Sequence, residues 1–134
     1  MSTPEIFHIK SDIAELKRVE NFLRSFFERN HLSYKYFNKV FLCISEAVTN
    51  SIEHGNKNDL KKDVTIHIKI RNNYLEIEVH DQGDGFNFKC LEDPTIKKNI
   101  KNETGRGIHI MKSLANKLTY LNSGKVLKIN MIIK

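Results

Sequence analysis

The stretch VTIHIKIRNNYLEIEVHD, residues 64–81, decides how the rest of the chain is read. Val64, Ile66, Ile68 and Ile70 alternate with polar residues, which is the two-residue period of a β-strand. Asn72-Asn73 is a turn signal, because asparagine tolerates the backbone that a tight hairpin requires. Leu75, Ile77 and Val79 resume the alternation on a partner strand that ends at Asp81. A β-hairpin therefore lies at the centre of the sequence.

On the N-terminal side of this hairpin lies a helix, predicted from about Tyr34 to His54. Phe37, Val40, Phe41, Ile44, Val48 and Ile52 form its apolar stripe. Gly55 follows as a helix-ending glycine, and Asn56 to Lys62 is a polar loop. An earlier helix starts at an N-cap on Ser11 or Asp12. Glu15 stands three residues after Asp12, as in a capping box. Ile13, Leu16, Val19, Leu23, Phe26 and Phe27 carry this helix to about Arg29, and Asn30 to Ser33 breaks it. Glu5 to Lys10 alternates weakly, as a short edge strand would.

On the C-terminal side, periodicity vanishes from Gln82 to Thr104. A loop of that length inside a domain is often a functional lid. Gly105 to Lys117 reads as a third helix with Ile108, Met111, Leu114 and Ala115 on one face. Leu118 to Leu121 and Val126 to Ile133 make a last hairpin around Asn122-Ser123-Gly124. This order predicts an α+β two-layer sandwich, a mainly antiparallel or mixed sheet with about three helices on one face, as one domain over residues 1–134.

Composition bounds the function. The 134 residues are 40% hydrophobic and 28% charged, enough for a core without disulfides or metals. The net charge of +6 is spread along the chain. A duplex reader concentrates its basic residues in a stripe, so no direct nucleic-acid partner is expected. The charge steers toward anionic partners, nucleotide phosphate among them. The two cysteines, Cys43 and Cys90, form no CxxC pair and suit a reducing cytosol. The N-terminus lacks a signal-peptide core, and no stretch approaches a membrane span. The expectation is a soluble, cytoplasmic protein.

Three groups of residues could carry chemistry. Glu46, Asn50 and Glu53 share a helical stripe at i, i+4 and i+7. Taken alone, the stripe reads as a solvated face. Functionally, an amide oxygen plus substrate phosphates suffices to hold Mg²⁺, and a carboxylate one turn away could deprotonate an attacking hydroxyl. The second group is Asp81-Gln82-Gly83-Asp84-Gly85-Phe86. A carboxylate at a strand end beside Gly83 and Gly85 suits hydrogen bonding to an amino group such as adenine N6, although Asp and Gly also make ordinary turns. The third is Thr104-Gly105-Arg106-Gly107-Ile108, where a loop enters a helix and free amides favour phosphate. No GK[ST] follows it, and no strand precedes it, which excludes a Walker loop and a Rossmann fingerprint.

Other features carry less. His54 fits a cap or core edge. His8, His31, His67, His80 and His109 show no shared metal spacing. Lys97, Lys98 and Lys101 read as a solvated lid face, and Phe86 and Phe88 as lid anchors.

In order along the chain stand Glu46-Ala47-Val48-Thr49-Asn50 with Ile52-Glu53-His54-Gly55-Asn56, then Val79 to Phe86, then Asp93-Pro94-Thr95, then Gly105 to Met111. Together they resemble the anti-sigma-factor serine/threonine kinase branch of the GHKL ATPases, over about residues 35 to 130. The resemblance implies a Bergerat ATP-binding fold with ATP and Mg²⁺ as cofactors. It implies that Asn50 coordinates Mg²⁺ and that Glu46 is the general base. It also implies that Asp81 binds the adenine amino group, with Gly83 and Gly85 shaping the pocket. Residues 86–104 would be the ATP lid, and Gly105, Arg106 and Gly107 would hold the phosphates. The implied partners are a STAS-type antagonist, phosphorylated on Ser or Thr, and a sigma factor sequestered by a homodimer. Lys125 and Val126 depart from the pattern, since many relatives carry there a Thr that supports the adenine aspartate. Thr119 on the neighbouring strand is the candidate substitute. The alternative to a kinase is a binding module that uses ATP to set its conformation. A basic nucleic-acid-binding domain is a third reading, motivated by net charge alone.

Overall fold

In the computed structural model, which describes residues 3–83, 111–122 and 125–133, the central hairpin forms as its alternation requires. Strand β2 (Asp63–Arg71) pairs antiparallel with β3 (Tyr74–His80). Asn72 takes a left-handed φ of 56° at the turn. Ile66 faces Val79 and Ile68 faces Ile77, so the alternating apolar residues share one buried face. A one-residue slip would expose all of them, which pins the register. Strand β1 (Glu5–Lys10) flanks β2, β5 (Val126–Ile132) pairs with β3, and β4 (Lys117–Leu121) closes the far edge. The sheet order is β1-β2-β3-β5-β4, and every neighbouring pair is antiparallel.

Helices α1 (Leu16–Arg29) and α2 (Phe37–Asn50) cover one face of this sheet. Leu23 and Phe27 of α1, and Ile44 and Val48 of α2, join Ile66, Ile68, Ile77, Ile129 and Met131 in one core. Burying each such side chain contributes about 1.5–3 kcal/mol. Phe27 meets Phe37 edge-on at 5.4 Å, which ties the two helices together.

The helix boundaries differ from the sequence reading in three places. Asp12 is a cap, but of a 3₁₀ turn (Ile13–Glu15) that precedes α1, accepting from the Ala14 amide at 2.9 Å. Glu15 does not close a capping box; its carboxylate pairs with Arg18. The second helix keeps α geometry only to Asn50 and continues as a π-helical turn, Ser51–Gly55. The third helix, whose described part is residues 111–114, stops before Lys117. There Asn116 bends the chain into the sheet: its amide donates to the Asn130 carbonyl and its side-chain oxygen accepts from the Ile132 amide. Among the described residues, no helix is long and apolar enough to cross a membrane.

Candidate functional site

The site is built where the end of α2 meets the end of β3. The Asn56 amide donates five residues back, to the Ser51 carbonyl, at 2.7 Å. One extra residue in that turn widens the helix, a distortion common at functional sites. Lys57 and Asn58, both at positive φ, then turn the chain away.

The widened turn sets Gly55 against Asp81. A β-carbon on Gly55 would stand 2.3 Å from Asp81 Oδ2, and one on Gly83 would stand 1.7 Å from the Gly55 carbonyl oxygen. Both positions therefore require glycine, for close approach and not for φ. Sequence reading took Gly55 only as a helix terminator and so missed it.

Asp81 extends the β3 ladder by one residue, its amide donating to the Lys125 carbonyl at 2.9 Å. The side chain is buried. Oδ1 accepts from the Gly83 amide at 2.9 Å, whereas Oδ2 is buried with no hydrogen-bond partner among the described residues. Burial raises the carboxyl above its ordinary pKa, while the Gly83 amide and the charges of Lys125, His80 and Lys62 oppose that rise. A buried acceptor left unpaired costs about 1–3 kcal/mol. Such an atom is suited to a donor brought by a ligand.

Around Asp81 runs a polar network that the sequence did not disclose. Asn56, 1% exposed, accepts from the Gln82 amide at 2.7 Å. It donates to Ser11 Oγ at 2.8 Å and to the Asp63 carbonyl at 3.0 Å. Ser11 donates onward to the Lys62 carbonyl, and Gln82 Oε1 accepts from the Asp63 amide at 2.6 Å. Asn56 thereby fixes the Asp81–Gly83 bend against the π turn.

Within α2, Glu46 and Asn50 stand one turn apart on the approach to Gly55. The solvated-face reading of this stripe is corrected: Asn50 is 2% exposed, and its Nδ2 has no partner among the described residues. Glu46 is half-buried. Glu53, on the π turn, is exposed and leaves the stripe. Gly85, Phe86, Thr104, Gly105, Arg106, Gly107 and Ile108, with the lid at 86–104, lie outside the described residues.

Thr119 does not replace the missing threonine. It pairs with Lys128, so it lies on the sheet face away from the helices, while Asp81 shares the parity of buried Val79. The histidines also differ from expectation, because the hairpin register brings His67 and His80 together beside Glu78.

Three comparisons bear on this geometry. The family model described as the histidine kinase-like ATPase domain matches residues 9–133. The chain is 27% identical over 100 residues to the serine-protein kinase RsbW of Bacillus subtilis (strain 168), covering 70% of this chain and 62% of that protein. It therefore spans less than two thirds of that relative. It is 27% identical over 120 residues to the serine-protein kinase RsbW of Staphylococcus aureus (strain MSSA476), covering 84% of this chain and 76% of that one. A crystal structure of the RsbU and RsbW domains of a Mycobacterium tuberculosis protein superposes with a TM-score of 0.67 at 15% identity, over 99% of this chain and 32% of that one. That likeness shows a shared fold.

Proposed function

The chain belongs to the histidine kinase-like ATPase domain family, and on that premise we propose that it binds Mg-ATP and transfers the γ-phosphate to a serine or threonine of a STAS-type antagonist protein. We further propose that, as a homodimer, it sequesters a sigma factor until that antagonist competes for it. The observation that carries the reading is the unpaired, buried Oδ2 of Asp81 in a cradle of two glycines.

Each site residue would then have a task. Asp81 accepts a hydrogen bond from the adenine amino group, and Gly55 and Gly83, by their close approach, hold that carboxylate in place. By the resemblance, Gly85 and Phe86 would also belong to the nucleotide site. By the same resemblance, Thr104, Gly105, Arg106, Gly107 and Ile108 would hold the phosphates. Asn50 fits a magnesium site: its amide is buried with the nitrogen unpartnered. Turned about its last bond, that amide presents the hard oxygen Mg²⁺ prefers. When bound, Mg²⁺ neutralises phosphate charge and orients the transferred group. Glu46, one turn earlier, accepts the proton of the incoming hydroxyl. Two added charges on the antagonist would then repel its docking surface and release it.

The test is phosphotransfer. The chain is incubated with labelled Mg-ATP and a purified STAS-domain antagonist, beside Glu46→Gln. Label on Ser or Thr that the variant fails to deliver supports the kinase. Normal ATP binding without transfer to any antagonist that the chain binds would replace it with the ATP-dependent binding module.

A further inference from the structure

The sheet face opposite the helices carries a second constellation, remote in kind from the nucleotide site. His67 on β2 lies directly across from Glu78 on β3, and His80 follows Glu78 by two residues on the same face. The His67 and His80 rings stack with centroids 4.4 Å apart. His80 Nε2 is 2.9 Å from Glu78 Oε1. One ligand atom from each of the three residues lies within 4.8 Å of the others, and all three side chains are partly exposed.

We propose that His67, Glu78 and His80 form a binding site for a divalent transition-metal ion, Zn²⁺ in the first instance. Two imidazole nitrogens and one carboxylate oxygen are ligands that borderline ions prefer, and they leave one position open to water. In a tetrahedral zinc site, bonds of about 2.0–2.1 Å place neighbouring ligand atoms roughly 3.3 Å apart. The His80–Glu78 pair, at 2.9 Å, is already near that spacing. The third atom, within 4.8 Å of both, would have to move inward by a side-chain rotation. The backbone supplies the preorganisation. Ile66, Ile68, Ile77 and Val79, interleaved with the three ligands, are buried on the other face and lock both strands in register.

The site differs chemically from the proposed magnesium site. Asn50 and phosphate offer hard oxygens, whereas two imidazoles discriminate against Mg²⁺. An ion here would clamp β2 to β3 without occupying the nucleotide pocket. The proposal therefore stands whether or not the chain is a kinase.

The experiment is calorimetric titration of Zn²⁺ into the full chain without nucleotide, repeated with His67→Gln, His80→Gln and Glu78→Gln, and with Cys90→Ser as control. Circular dichroism verifies that each variant folds; all three ligand positions are on the partly solvated face, where substitution is tolerated. Expected is one Zn²⁺ per chain, weakened by at least ~10-fold in either histidine variant, retained in Cys90→Ser and not displaced by excess Mg²⁺. Absence of binding to the wild type would overturn the site, as would binding that survives the double variant His67→Gln/His80→Gln. Displacement by Mg²⁺ would also overturn it, because it would place the ion on oxygens elsewhere. Should a single variant misfold, Co²⁺ substitution in the wild type decides: a spectrum of nitrogen and oxygen ligation supports the site, and thiolate charge transfer excludes it.

Discussion

Asp81 Oδ2 occupies the space that a β-carbon on Gly55 would need, with only 2.3 Å between them. Gly55→Ala should therefore destabilise the fold by about 1–3 kcal/mol through overpacking, and should abolish nucleotide binding by displacing the carboxylate. Removing the obstacle as well, in Gly55→Ala/Asp81→Ala, should recover about 0.5–3 kcal/mol relative to the sum of the single changes. Gly83→Ala offers no such relief, since its β-carbon meets the Gly55 backbone carbonyl at 1.7 Å. Denaturant melts of the four variants give the ordering; simple additivity at 55 and 81 would contradict this geometry.

The burial that raises the Asp81 carboxyl sets the sign of its effect on stability. A group whose folded pKa lies above its unfolded value stabilises the fold most below the unfolded value. That contribution disappears as pH rises through the folded pKa. Ionising Asp81 thus costs stability in the ligand-free protein. Asp81→Asn should melt at or above the wild-type temperature at pH 7 and should flatten the wild type's loss of stability as pH rises above the ordinary carboxylate range. It should also lose ATP binding. A variant that is less stable than wild type at pH 7 would mean that the carboxylate serves the fold instead of a ligand.

Sheet and core were legible in the sequence because they rest on local period: the alternation from Val64 to Val79 dictated the β2–β3 ladder. Asp81 and Gly83 were legible as a carboxylate beside glycine at a strand end. Gly55 and Asn56 were not, because their roles arise from contacts with residues 81–83 and 11, far along the chain. The π turn was hidden too, since a five-residue hydrogen bond leaves no periodic trace in so short a segment. His67 and Glu78 could have been paired from the Asn72-Asn73 turn, which fixes their register, but spacing along the chain alone shows no metal pattern.

Asn56 holds the Gln82 amide, Ser11 and the Asp63 carbonyl at once. Asn56→Ala leaves the Gln82 amide without its acceptor and removes the donor to Ser11 and the Asp63 carbonyl, and should cost roughly 1–3 kcal/mol in a urea melt. Nucleotide affinity should fall with it, because the bend carrying Asp81 and Gly83 loses its anchor. Asn56→Asp keeps an acceptor for Gln82 but turns a carboxylate toward the Asp63 carbonyl, so it should rescue little. Full stability in Asn56→Ala would show that the network is incidental.

Cys43 sits in α2 with no exposed surface, and burial pushes its thiol up to about 11. The thiolate is the reactive form. In a Cys90→Ser background, iodoacetamide at neutral pH should leave the native chain unlabelled and should label Cys43 only as fast as the protein opens. Rapid stoichiometric labelling without denaturant would show that α2 departs from the sheet far more readily than its buried contacts imply.

Glu46 and Asn50, one turn apart on α2, should separate catalysis from binding. Asn50 Nδ2 has no hydrogen-bond partner among the described residues, so Asn50→Ala removes no bond at that atom, and circular dichroism verifies that the variant folds. The substitution should remove the Mg²⁺ dependence of ATP affinity measured by calorimetry. Glu46→Gln preserves shape and removes the base. Its Mg-ATP affinity should stay within about threefold of wild type, while phosphotransfer falls by about 10²–10⁴. The dissociation of the two effects is the informative result. If Glu46→Gln weakens ATP binding as much as Asn50→Ala does, the carboxylate acts on the bound nucleotide, and the proton must leave the acceptor hydroxyl by another route.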